Sequence, residues 1–276
     1  MRPPRWVIPG AAVFVLASCA LVMSPAEKAR LIASESGMME LHLPDRRVRG
    51  FIKGASTGPD AKKALTIYVE SDGAPWLWRD EPPQDPTPLR PLVLGLAVAD
   101  RSQAVAYLGR PCQYLEEASL SNCDPALWTR GRFRTDAVDM MARAVDALKD
   151  AAGVSVVNLV GYSGGGAMAA LLAARRGDVA CLVTIAAPLD TTAWTAALGV
   201  SPLATSLNPL DYAQRLHKVR QTHFRGMRDR VVPPETIQKF ITRVPGALIL
   251  DIESFDHECC WASRWQELLA NSCLNG

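Results

Sequence analysis

Unbroken apolar runs of strand length alternate with segments of helical length through most of this chain. The alternation is most regular from Ala104 onward: Ala104 to Leu108 reads as strand, Thr135 to Asp150 as helix, Val154 to Val160 as strand, Gly166 to Arg176 as helix and Val179 to Ala186 as strand. After an interruption, Val219 to Arg225, Pro233 to Arg243, Ala247 to Ile252 and Glu258 to Ala270 repeat the order strand, helix, strand, helix. Strands that are apolar at successive positions are buried on both faces, so the pattern predicts an α/β fold with a mostly parallel central sheet and helices on both sides. Upstream, Pro25 to Ser36 reads as a short helix or tether. Met38 to Leu43 and Val48 to Lys53 read as strands joined at Pro44-Asp45-Arg46, and Leu65 to Glu70 as a strand entering a turn-rich stretch. The proline-rich stretch from Pro82 to Pro91 predicts a loop, and Leu92 to Asp100 a helix. Residues 190–217 hold scattered prolines and Trp194 and predict a small cap-like insertion.

Length changes this picture little, because 276 residues fit one large α/β domain with a single core. The formal net charge of +2 is spread along the chain, without a basic arm or acidic tail, which argues against a nucleic-acid partner and for a small-molecule one. The N-terminus is more informative. Arg2 and Arg5 precede an apolar run from Trp6 to Ala17, too short to span a bilayer and typical of an export signal. The run ends in Leu16-Ala17-Ser18-Cys19, which resembles the lipobox of bacterial lipoproteins. That resemblance implies a signal peptide over 1–18 and a lipidated Cys19; a lipid-anchored N-terminus and tether then covers 19–37, and the α/β domain 38–276. It also implies a cell-envelope location, with Ala20 pointing to the outer membrane facing the periplasm. An ordinary cleaved signal or an uncleaved anchor is the competing reading.

An exported chain can keep disulfides, and six of its seven cysteines follow Cys19. Cys112 and Cys123 flank a short polar loop and make the best pair. Cys259 or Cys260 is within reach of Cys273 across the last predicted helix, and Cys181, inside an apolar strand, reads as a buried thiol. Paired C-x-x-C units are absent from the sequence, so no metal site is expected.

The chemistry centres on Gly161-Tyr162-Ser163-Gly164-Gly165, a G-x-S-x-G pattern between a buried strand and an alanine-rich helix. That context makes Ser163 a nucleophile on a sharp strand-to-helix turn, where neighbouring side chains must be small. A phosphate-binding loop would instead need Lys-Ser/Thr after the glycines, or G-x-G-x-x-G. A serine hydroxyl needs a base. Of His42, His217, His223 and His257, only His257 lies in a loop after the last strand, on the carboxyl edge where Ser163 sits. A carboxylate must orient the imidazole, and Asp229, in the loop after Val219 to Arg225, is the candidate, with Asp256 as its rival. The oxyanion hole needs two backbone N–H donors. Gly164 supplies one by position, and the loop after Leu65 to Glu70 the other, from Asp72 or alternatively Gly73.

Ser163, Asp229 and His257 in this order resemble the α/β-hydrolase superfamily, among its esterase-like and lipase-like members. The resemblance implies a serine hydrolase that works by two-step acyl transfer on a small-molecule acyl substrate without a cofactor, and it favours carboxylic esters. A peptidase or acyltransferase on the same triad is an alternative, as is a non-catalytic envelope binding protein. Glu70-Ser71-Asp72-Gly73 departs from the His-Gly found there in many members. The stretch from Tyr68 to Gly73, with Arg110-Pro111-Cys112-Gln113-Tyr114, also resembles little-characterised bacterial lipoproteins of this fold. Trp76, Trp78, Trp128 and Trp194 fall in predicted loops near the active edge, where they either wall an acyl pocket or pack as ordinary loop residues.

Overall fold

Hydrogen bonding between short apolar strands builds the centre of the molecule. In a computed structural model that describes residues 23–54, 64–74 and 81–275, these strands form one sheet. The strands are β1 (Met39–Leu41), β2 (Gly50–Lys53), β3 (Leu65–Val69), β4 (Val105–Leu108), β5 (Val157–Tyr162), β6 (Val179–Ile185), β7 (Arg220–Gly226) and β8 (Leu248–Ile252). Their spatial order is β1-β2-β4-β3-β5-β6-β7-β8. The opening pair is antiparallel, β2 meets β4 antiparallel, and from β4 through β8 all neighbours are parallel. The chain therefore has an α/β architecture with its first hairpin at one edge, as the apolar pattern predicts.

Around the sheet lie α1 (Pro25–Glu35), α2 (Leu92–Ala99), α3 (Glu117–Leu120), α4 (Thr135–Ala152), α5 (Gly164–Ala174), α6 (Thr191–Ala197), α7 (Pro209–Tyr212), α8 (Gln238–Arg243) and α9 (Trp265–Ala270). Alternate residues along each strand serve opposite layers. Leu65, Ile67 and Val69 of β3, with Ala106 and Leu108 of β4, pack on the side of α4, α5, α7 and α8. Tyr68, Val105 and Tyr107 join the side of α1, α2 and α9. Both strand faces are thus apolar, which is why the sequence shows continuous rather than alternating runs.

Local chemistry explains where elements start and stop. Ser24 and Glu27 close a capping box at the start of α1, and Gly153, in the left-handed region at φ 66°, ends α4. Within 190–217, Asp190 caps α6 through the N–H groups of Thr192 and Ala193, whereas Leu210, Ala213 and Leu216 are buried in the main core. The helix predicted over Glu258 to Ala270 forms only from Trp265. Before it, Asp256 accepts from the N–H groups of Glu258 and Cys259, and Cys259 is disulfide-bonded to Cys260. A bond between adjacent side chains does not fit helical backbone, where neighbours diverge by about 100°.

The predicted Cys112–Cys123 bridge is present. Two other cysteine assignments are corrected. Cys181 is not a free thiol: it is bonded to Cys273 across 92 residues, and neither Cys259 nor Cys260 reaches Cys273 because they bond to each other. The pleat of β6 turns Cys181 toward the α9 layer, and the chain after α9 returns over β6 and β7, where Cys273 N–H donates to Thr222 Oγ1 at 3.0 Å. A sequence window around Cys181 contains neither fact. Closing so long a loop stabilises by about 4 to 5 kcal/mol on the chain-entropy model.

His223 is fully buried in β7, with Nδ1 2.8 Å from Thr184 Oγ1, Nε2 3.2 Å from Gln221 Oε1, and its ring edge-on to Phe240. Burial first, and Arg225 second, push its pKa down from 6.5 to about 3. The unfolded chain then binds this proton more readily than the folded one, so the contribution is intact above pH 6.5 and is lost as pH falls toward 3. Urea midpoints should show stability falling below pH 6.5 with a component of up to about 1.4 kcal/mol per pH unit from this residue. His223→Gln should flatten that dependence, and an unchanged slope in the variant would refute the assignment.

Candidate active site

Strand β5 ends at Tyr162 and α5 begins at Gly164, leaving Ser163 alone to turn the chain. It does so at φ 53° and ψ −128°, outside the regions that L-residues favour, while its N–H is held by Ile185 O on β6 at 2.8 Å. The turn is tight enough to dictate its neighbours. A Cβ on Gly161 would lie 2.3 Å from Gly165 O, and one on Gly165 would lie 2.2 Å from Val69 O. These are backbone atoms with nowhere to go.

The carboxyl ends of the parallel strands bring the other predicted residues to this turn. Asp229 follows β7 and His257 follows β8. His257 Nε2 is 3.1 Å from Ser163 Oγ, and its Nδ1 is 2.8 Å from Asp229 Oδ2. An ionised carboxylate only accepts, so in the neutral ring Nδ1 carries the hydrogen and Nε2 is free to accept from the serine. The second carboxylate oxygen, Asp229 Oδ1, accepts from Val231 N–H and Val232 N–H, both at 2.8 Å. These bonds orient a side chain that is 1% exposed. Asp256, the rival acid, turns away to accept from the N–H groups of Glu258 and Cys259. The backbone of His257 is also anchored, since its carbonyl accepts from Tyr162 Oη and Trp261 Nε1, each at 2.8 Å. Neither donor was foreseen from the sequence, which holds no local sign of them.

The oxyanion candidates cluster with a charge network that sequence spacing could not reveal. Gly164 is the first residue of α5, where a helix leaves its N–H groups without intrahelical acceptors. Asp72 and Gly73 line the same cavity as Ser163. The Asp72 carboxylate lies against Gly164, 2.1 Å from where a Cβ there would stand. It is gripped by Arg110 Nη1 at 2.8 Å and Arg132 Nη1 at 2.7 Å. Those two guanidiniums hold its pKa below the usual carboxylate range against the opposing effect of burial. Arg132 also donates from Nε to Thr129 O, and Arg110 from Nη2 to Arg132 O, while buried Arg110 Nε has no partner. Behind them Glu70, fully buried, accepts from Ser71 N–H, Tyr107 Oη and Tyr114 Oη, and burial raises its pKa. Glu70 thus fastens the start of the loop and Asp72 its middle.

Ser163 and His257 open into a cavity of about 1350 Å³. Trp194, Leu198, Val200 and Leu203 give it an apolar portion, and Arg90, Arg130 and Arg132 a cationic one. Of the four tryptophans considered, Trp194 lines this cavity and donates from Nε1 to Val231 O at 2.7 Å. Trp128 instead is buried in the core, with Nε1 donating to Pro83 O at 3.1 Å. Trp76 and Trp78 lie outside the described residues, as does Cys19. His217 lies elsewhere, with its Nδ1 hydrogen-bonded to Gln214 O of its own turn. Among the described residues no cluster of His, Cys, Asp and Glu is arranged to hold a metal ion, and no helix is long and apolar enough to cross a membrane.

Comparison with known proteins agrees with this architecture. A family model described as the alpha/beta hydrolase fold matches residues 119–214. No curated protein sequence matches the chain. Among solved structures, Est1E from Butyrivibrio proteoclasticus superposes with a TM-score of 0.59 at 12% identity, over 85% of this chain and 96% of that one. The Pyrococcus furiosus esterase Pf2001 superposes with a TM-score of 0.56 at 16% identity, over 87% and 95%. A Mycobacterium tuberculosis puromycin-hydrolyzing peptidase gives 0.59 at 16% identity over 87% of this chain, which spans only 39% of that protein. The chain has the α/β-hydrolase fold.

The crowding at the turn gives a direct test. Gly165→Ala places a methyl group 2.2 Å from Val69 O and 2.4 Å from Glu70 O, so β3 and α5 must separate. Overpacking of this kind costs about 1 to 3 kcal/mol, and backbone obstacles put it at the upper end or beyond. A denaturant titration should show that loss, whereas Gly177→Ala, with nothing within 4 Å, should change stability little.

Proposed function

We propose that this protein is a serine hydrolase acting on carboxylic esters, with Ser163 as nucleophile, His257 as general base and acid, and Asp229 as the carboxylate that orients the imidazole. The observation that carries the reading is the continuous relay Asp229 Oδ2, His257 Nδ1, His257 Nε2, Ser163 Oγ at 2.8 and 3.1 Å, mounted on a strained turn. As Ser163 Oγ attacks the carbonyl carbon, its proton passes to Nε2, and Asp229 stabilises the imidazolium. Negative charge on the former carbonyl oxygen is met by Gly164 N–H and a second N–H from Asp72 or Gly73. Collapse expels the alcohol, which takes the proton from Nε2 and leaves an acyl-serine. Water attacks that ester and gives its proton to the same nitrogen, and as the tetrahedral intermediate collapses Nε2 returns that proton to the departing Ser163 Oγ, freeing the carboxylic acid.

Esters are preferred to amides because the cavity is open and has an apolar portion suited to an acyl chain. The similarity to two esterases of nearly the same length supports the same choice. A fluorophosphonate probe should label the wild-type protein, and Ser163→Ala should abolish the label. Absence of label on folded wild type would leave only the binding-protein reading. Ester turnover should vanish in Ser163→Ala and His257→Ala, and Asp229→Asn should lower kcat by about two to four orders of magnitude. Asp256→Asn should retain most activity, and the reverse result would transfer the acid role to Asp256.

We also propose that Cys19 is lipidated and holds the enzyme at the outer membrane facing the periplasm. Only five residues separate Cys19 from Pro25, where α1 starts, so the domain would sit close to the bilayer surface. Cell fractionation should find the full chain with membranes and Cys19→Ser in the soluble fraction. Membrane retention of the serine variant would sink the anchor.

A further inference from the structure

The cavity holds more positive charge than its catalytic groups need, and that excess has a direction. Arg90 pairs with Glu258 at 3.0 Å at the cavity rim, both side chains well exposed. Arg132 and Arg110 share Asp72, with Glu70 in the layer behind. Arg130 lines the cavity and has no carboxylate within ion-pair distance among the described residues. Two positions away on the same turn, Arg132 has a side chain only 6% exposed and lines the cavity too. Its Nε and Nη1 are occupied by Thr129 O and Asp72, whereas Nη2 finds no acceptor among the described residues. A nine-tenths buried guanidinium with an open donor, two residues from an exposed unpaired one that lines the same cavity, offers donors of the kind that bind an anion.

The placement ties these donors to the nucleophile. Arg132 grips Asp72, and Asp72 lies against Gly164, the residue after Ser163. The apolar portion formed by Trp194, Leu198, Val200 and Leu203 belongs to the same cavity. We infer that the substrates are esters carrying one anionic group, a carboxylate or phosphate that docks on Arg130 and Arg132, joined to an apolar segment that lies along Trp194. The inference rests on the serine-hydrolase reading for its chemistry but not for its anion site.

Matched esters that differ only in charge test it on the wild-type protein. One pair is 4-nitrophenyl hemiglutarate and 4-nitrophenyl valerate, with the charge in the acyl part. The other is 4-acetoxybenzoate and its methyl ester, with the charge in the alcohol part. In at least one pair kcat/KM should favour the anion tenfold or more, chiefly through KM, and that ratio should shrink as salt is raised. Arg130→Glu should cut the ratio at least tenfold, and Arg130→Lys should restore part of it. Ratios near one in both pairs, or a ratio indifferent to both salt and Arg130→Glu, would overturn the inference while leaving the hydrolase reading standing. Calorimetry on Ser163→Ala separates the two claims further. Monomethyl glutarate should bind at least tenfold more tightly than dimethyl glutarate, and equal binding would overturn the anion site whether or not any ester is turned over.

Discussion

The sharp passage from β5 into α5 is the constraint on which the rest of the site depends. Ser163 can stand proud of the sheet only because backbone passes within van der Waals limits of Gly161 and Gly165, and because Ile185 O holds its N–H. A residue at φ 53° is costly by about 1 to 3 kcal/mol, and it persists where the surroundings leave no alternative. The surroundings here are parallel strands on both sides, β3 and β6, each bonded along β5. Strain at the turn is therefore sustained by sheet pairing, and the same pairing aims the carboxyl ends of β7 and β8 at the serine.

Polar groups around the turn are held by a second network, unlike the first in being ionic. Asp72 between two buried arginines, with Glu70 on two tyrosines behind it, places two acidic and two basic side chains under one short loop. Burying charges is rarely a net gain in stability, because desolvation offsets much of the attraction. Its value lies in geometry: a loop pinned at residues 70 and 72 presents its backbone at one position relative to Gly164. The same network leaves Arg132 Nη2 without an acceptor among the described residues, on a side chain that lines the cavity.

Covalent links reinforce the periphery. The Cys112–Cys123 bridge closes the excursion that follows β4, and Cys181–Cys273 ties the C-terminal turn to a central strand. Since α9 packs Trp265 against Tyr68 and Phe224, the C-terminal segment is part of the layer that supports the His257 loop.

Much of this was legible in the chain itself. Continuous apolar runs determined a buried parallel sheet, the glycines around Ser163 determined the sharp turn, and the loop positions of Asp229 and His257 selected them among many acids and four histidines. Those features are local, written in periodicity and in residues that only certain backbone shapes accept. Other features were decided by tertiary structure alone. The partners of Asp72 stand 38 and 60 residues away, Tyr162 reaches the His257 carbonyl from 95 residues away, and Cys181 finds Cys273 across 92 residues. Such contacts depend on strand order and on which face each pleat presents, and a linear pattern carries no distance information between segments that only the folded sheet brings together.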